Sequence, residues 1–184
     1  MPTPGDTGWL YGTSATGNTG SGSTEWTNPA AALGAPDDIY ARMNPVAGTI
    51  TGSRRLFVRT WTGMSAVPDD ATIVGIEVSI IRYGIVPPHI RDHTVQLVKA
   101  AALVGDNKAT TSAWPTAVAS QIYGGPTDLW GTTWSKSDLT NSNFGVVLSA
   151  RPVSSDGGQA WVDSIAMKVY YETPAGSFFA QILG

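Results

Sequence analysis

The segment from Thr72 to Tyr83 constrains this chain more than any other. Val74, Ile76, Val78 and Ile80 alternate with Gly75, Glu77 and Ser79, the period of two that marks a half-buried β-strand. Gly84-Ile85-Val86-Pro87-Pro88 ends the run, because consecutive prolines cannot donate to a strand ladder. The same alternation returns elsewhere. Arg55 to Trp61 sets Leu56, Val58 and Thr60 against Phe57, Arg59 and Trp61, and Asp37 to Met43 reads as a shorter strand. From His93 to Val104, Val95 and Leu97 point one way and Gln96 the other. Phe144, Val146, Leu148 and Ala150 share a face, as do Trp161, Ile165, Met167, Val169 and Tyr171, with Asp163 interrupting. Pro68-Asp69-Asp70, Gly105-Asp106-Asn107 and Ser154-Ser155-Asp156-Gly157-Gly158 supply turns. Thr110 to Thr140 reads as loops, one or two short strands and a helical turn capped by Ser135 or Ser137. Without helical periodicity or an internal repeat, the pattern predicts an all-β, antiparallel β-sandwich of jelly-roll type.

A chain of 184 residues buries roughly 70% of its unfolded surface, enough for one core without staples. There is no cysteine, which excludes disulfide frameworks, thiolate metal sites and cysteine nucleophiles. Charged residues make up 14% of the chain, against roughly 25% in ordinary soluble domains. The 11 Lys+Arg and 14 Asp+Glu give a net charge of -3. The basic residues are scattered along the sequence, so no nucleic-acid partner is expected. No apolar run is long enough for a membrane-spanning helix, and Met1-Pro2-Thr3-Pro4-Gly5 has neither a basic nor an apolar leader region, so neither a span nor a secretory leader is expected.

Residues 1–24, rich in Gly, Ser and Thr, read as an extended arm that orders only against something else. The sandwich then occupies 25–173, and 174–184 form an apolar tail. In that tail Phe178, Phe179, Ile182 and Leu183 would have to dock on their own domain or on a neighbouring subunit. Seven tryptophans offer rings for the core, for sugar stacking or for protein contacts. Trp26 and Trp161 are expected inside. Trp9, Tyr11 and Trp114 are the interface candidates, together with the four tail residues.

Catalytic chemistry finds little support. His89 and His93 lie in an extended context where a spacing of four does not converge on a metal. Asp37-Asp38 and Asp69-Asp70 read as turn and cap residues. No motif selects a glycosidase pair among Asp128, Asp138, Asp156 and Asp163, and no nucleophile elbow, P-loop or dinucleotide fingerprint occurs. No catalytic residue, cofactor or metal is expected.

An ordered series of segments over about residues 24–173 resembles a jelly-roll family of tailed-bacteriophage virion proteins. It runs through Trp26-Thr27-Asn28-Pro29, Ala31-Ala32-Leu33-Gly34, Asp37-Asp38-Ile39-Tyr40-Ala41 and Ala71-Thr72-Ile73-Val74-Gly75-Ile76-Glu77-Val78. It continues with Thr94-Val95-Gln96-Leu97-Val98-Lys99, Val104-Gly105-Asp106-Asn107-Lys108-Ala109 and Tyr123-Gly124-Gly125-Pro126-Thr127-Asp128-Leu129-Trp130-Gly131. Asn143-Phe144-Gly145-Val146, Val162-Asp163-Ser164-Ile165 and Val169-Tyr170-Tyr171 complete it. The resemblance implies a virion structural protein, such as a capsid decoration (cement) protein, a head fibre or a tail-associated module. The leading expectation is a decoration protein, made in the host cytoplasm and displayed on the particle surface. It would bind the major capsid protein and other virion proteins as a homo-oligomer, a trimer. The alternative is a carbohydrate- or receptor-binding module of a head or tail fibre, with a host surface glycan as ligand.

Overall fold

The computed structural model describes residues 1–20, 22–45, 50–85, 90–154 and 157–175. It is an all-β sandwich of two antiparallel sheets, jelly-roll-like as expected. At the centre of sheet I, β6 (Thr72–Ile85) and β11 (Gln159–Thr173) pair along almost their whole lengths, and β9 (Ala119–Gly125) flanks β6. The other edge of β11 is shared by β4 (Ala41–Met43), the start of β2 (Leu10–Thr19) and β1 (Thr3–Asp6); β3 (Trp26–Thr27) borders β4. Sheet II runs β2, β5 (Arg55–Trp61), β10 (Gly145–Pro152), β7 (Ile90–Lys99) and β8 (Ala102–Val104). The helical turn is α1 (Lys136–Leu139), with Ser135 as a reciprocal cap to Asp138.

The alternating residues close the core from both sides. Ile76, Val78, Ile80, Val162, Ile165, Met167 and Val169 face Leu56, Val58, Val95, Leu97, Val146 and Leu148, all fully buried. Each such aliphatic side chain contributes about 1.5–3 kcal/mol. Trp26, Trp61, Trp114, Trp130 and Trp134 are buried as well. Across one end, Arg82 of β6 pairs with Asp92 of β7, both buried, and ties the sheets together.

Four expectations are corrected. Residues 1–24 do not stay apart from the domain. Leu10 and Tyr11 pair with β11, and Gly12 to Thr19 then pair with β5, so β2 crosses from one sheet to the other. Its polar side chains suit an edge strand held by main-chain hydrogen bonds, and at the crossing a Cβ on Gly12 would lie 2.4 Å from Val58 Cγ1. Secondly, His93 to Val104 is not one strand. Ala100 and Ala101 both take positive φ, 50 and 70, and turn β7 back on itself as the β7–β8 hairpin. Thirdly, Trp161 does not share the face of Ile165. Between Val162 and Ser164 the register shifts, so Asp163 is an extra, bulged residue and the alternation reverses. A similar shift at Val74 turns Ile73, rather than Val74, inward. Of the tail, 176–184 lie outside the described residues.

Candidate binding face

The outer face of sheet I is built in cross-strand rows. At one end the Asp163 bulge places Trp161 outward, with Arg42 of β4 and Tyr83 of β6 as its direct neighbours. The Arg42 guanidinium carbon sits 3.9 Å over the indole centroid, a cation–π contact. Tyr40 closes the group, its ring 5.4 Å from Trp161 and 5.3 Å from Tyr83. Burial, and then the hydrogen bond to Asp38, push the Tyr40 phenol up to about 12. Tyr83 is raised by burial, with Arg42 opposing.

Small residues form the middle rows: Ser164 beside Ile81 and Ser120, then Tyr11 beside Ala166, Ser79 and Ile122. Ser164 Oγ donates to Gly34 O at 2.7 Å, and the Asp163 carboxylate accepts from the Asp37 N–H at 3.1 Å. These bonds pin the 34–38 loop, and with it Pro36, against the bulge.

Trp9 lies at the far end, where β2 begins. Asp6 Oδ1 accepts from the Gly8 N–H at 2.7 Å, and Gly8 has φ 65, a tight turn that carries the chain from β1 over the sheet edge. Thr7 and Val169 exchange hydrogen bonds of 3.1 Å and hold this turn in place. The Trp9 ring is 37% exposed, with Lys168 Nζ 4.6 Å from its centroid. Beside it, Tyr170 donates to Glu77 at 2.6 Å; burial and that carboxylate raise its phenol to about 12. A groove of about 200 Å³ runs between Trp9, Tyr11, Pro36, Ile81 and Ser164. Counting at about 3.3 Å per residue, Trp161 and Lys168 stand about 20 Å apart. The face thus has two aromatic, cation-bearing poles with a small, hydroxyl-lined floor between them.

Of the candidates named from sequence, Trp9 and Tyr11 meet in this groove. Trp114 is a correction. It is 2% exposed, stacked under Arg82 at 4.4 Å, and its indole N–H donates to Asp92 at 2.8 Å, so it cannot meet a partner. The Trp114 N–H donates to Ile90 O at 2.7 Å and locks its loop onto β7. Phe178, Phe179, Ile182 and Leu183 lie outside the described residues. The sequence reading missed Tyr40, Tyr83, Arg42, Trp161 and Lys168. Asp163 breaking an otherwise apolar alternation was the one signal for the bulge that turns Trp161 to the outer face, where it is half-buried.

The remaining carboxylates hold the fold. Asp128 accepts from Lys108 at 2.7 Å and from the Trp130 N–H at 2.8 Å. Burial disfavours its charge, but those bonds outweigh burial and hold its carboxyl below the usual range. Asp138 is likewise lowered: burial is overcome by Lys99 and the Ser135 cap. Asp163 is buried, Asp69 pairs with Lys136, and Asp156 lies outside the described residues. Among the described residues no cluster of three or more acidic or histidine side chains could hold a metal. His93 is on the outer face of sheet II, and His89 lies outside the described residues.

No family model matches this chain, and no curated protein does. One solved structure similar to it, described as "CBM4 structure and function", aligns over 87% of this chain and 93% of its own at 12% identity, with a TM-score of 0.43.

Proposed function

We propose that this chain is a non-catalytic binding module, a structural protein of a tailed-phage particle that attaches to the capsid shell through the outer face of sheet I. The observation that carries the reading is the pair of aromatic poles on that face. The core is already filled by five other tryptophans, so Trp9 and Trp161 are not needed to complete it. Trp9 is exposed and Trp161 half-buried beneath Arg42, and tryptophan, tyrosine and arginine are the residue types that protein interfaces use as anchors. The ordered resemblance to virion proteins supports the setting: a capsid decoration protein, bound at the particle surface as a homotrimer with major capsid protein as partner.

A specific observation favours a second reading, a glycan-binding module of a head or tail fibre. The groove between the poles sets Trp9 and Tyr11 beside the Ser79 and Ser164 hydroxyls, and a ring face flanked by hydroxyls suits a sugar. Co-sedimentation with emptied capsids of the phage that carries this chain, run beside a host-polysaccharide panel read by tryptophan fluorescence, separates the two. Capsid binding that is lost in a Trp9→Ala/Trp161→Ala double variant supports the first reading. A fluorescence change with glycan and none with capsids moves the assignment to the second. Silence in both, with monomers by light scattering, overturns the proposal.

A further inference from the structure

The opposite surface of the molecule carries a feature that the linear sequence hides. Alternation along the strands of sheet II turns Leu56, Val58, Leu148 and Ala150 inward. It therefore turns Arg55 and Arg59 of β5, Arg151 of β10 and Arg91 of β7 outward. Arg91 and Arg151 are direct cross-strand partners. Like charges set opposite each other destabilise a sheet. None of the ion pairs among the described residues involves Arg55, Arg59, Arg91 or Arg151. The one side-chain hydrogen bond described for them runs from Arg59 Nη1 to Asn143 Oδ1, 3.1 Å. Arg91 Nε and Arg151 Nε are buried without a partner among the described residues. His93, bulged between these strands, reports the crowding: burial first, then Arg151 and Arg55, lower its pKa.

The arginines border an apolar strip. Phe57, Val98 and Val147, with Leu103, form a small cluster separate from the main core. They floor a groove of about 300 Å³ whose walls include Arg55, Arg59 and Thr16. Phe57 lies 5.4 Å from the Arg59 guanidinium. The chain as a whole is acidic, at -3, so this concentration of positive charge on one face runs against its composition.

We infer that the outer face of sheet II is a second docking surface, which takes an extended acidic polypeptide segment of a partner, its carboxylates on Arg55, Arg59, Arg91 and Arg151 and an apolar side chain in the Phe57–Val98–Val147 groove. Charge complementarity selects an acidic occupant, since each arginine presents a planar fork suited to carboxylate. The aliphatic floor selects polypeptide over nucleic acid. Bases bind single-strand grooves by stacking on aromatic side chains, and here only Phe57 is aromatic, with its face beside Arg59. This surface is independent of the sheet I face; a module with both would bridge two neighbours.

The test titrates the full chain with the acidic peptide acetyl-Glu-Glu-Leu-Glu-Glu-amide, following backbone amide shifts at low and high salt. Inorganic phosphate and a single-stranded oligothymidine serve as parallel arms. The expected result is saturable binding whose shifts cluster at residues 55–59, 96–98 and 145–151, weakened by salt. Arg55→Glu/Arg59→Glu should lower affinity about tenfold or more, while Trp9→Ala leaves it unchanged. The shift map on the wild-type chain decides the matter even if the charge-reversal variant fails to fold. Absence of binding at millimolar peptide, shifts elsewhere on the molecule, or equal binding by a folded charge-reversal variant would overturn the inference. So would tighter binding of phosphate or oligothymidine at the same residues.

Discussion

Replacing Asp92 by Asn should cost this fold more than any other single-atom-scale change. The Asp92 carboxylate accepts from Arg82 and from the Trp114 indole (2.8 Å) on one oxygen. On the other it accepts from the Tyr123 hydroxyl (2.8 Å) and from the Thr110 amide and hydroxyl (2.9 and 3.0 Å). The Arg82 and Asp92 side chains are 3% and 0% exposed, so water cannot replace a lost partner. An amide cannot accept on both sides. Whichever way Asn turns, its NH2 group meets donors, and Arg82 is left charged in the interior. Breaking a buried pair by removing one partner costs about 3–5 kcal/mol, a large share of the roughly 5–15 kcal/mol that stabilises a domain. At about 2–4 °C per kcal/mol for a chain of this size, Tm should fall by roughly 10 °C. Urea unfolding monitored by tryptophan fluorescence and by circular dichroism would measure it, with coincident transitions and an unchanged m-value as the check that one folded state is being compared. A loss below about 1 kcal/mol would refute the reasoning, because it would mean that solvent reaches the Arg82 guanidinium.

Gly12→Ala, which sets a Cβ 2.4 Å from Val58 Cγ1 where β2 changes sheets, should cost about 1–3 kcal/mol by overpacking, read as a lower urea midpoint. Trp9→Ala, at a residue 37% exposed, should leave that midpoint nearly unchanged, which separates the proposed binding role from a structural one. The depressed pKa of His93 has a definite sign. Unfolded chains bind the proton near pH 6.5 and the folded chain binds it only at lower pH, so stability is full above about pH 6.5 and declines as pH falls below it. Midpoints measured from pH 7.5 to 5 should show that decline, and His93→Gln should flatten it.

Most of the architecture was legible in the sequence because the core is made by local alternation. Ile76, Val78 and Ile80, Val95 and Leu97, and Val146 and Leu148 each declared their face within a few residues. Illegible were the points where one residue shifts everything after it. The Asp163 bulge moves Trp161 from core to surface, and its cause is tertiary: the carboxylate is held by the Asp37 N–H from 126 positions away. Ala100-Ala101 lack turn chemistry, and their left-handed conformation rests on the pairing of β7 with β8. The first strands were hidden for another reason. A Gly/Ser/Thr stretch has no apolar face to announce, and it is ordered by main-chain bonds to β5 and β11 that sequence does not display. The candidate faces suffered most, since each gathers residues from strands far apart in the chain.

The central claim, that the outer face of sheet I is the attachment surface, is tested most directly by hydrogen–deuterium exchange of the full chain, free and bound to emptied capsids. The account predicts slowed exchange at residues 8–12, 36–42, 79–83 and 161–168, with the 126–143 loops unchanged. Protection confined to the 126–143 loops or to sheet II, with those segments exchanging as in the free chain, would contradict it.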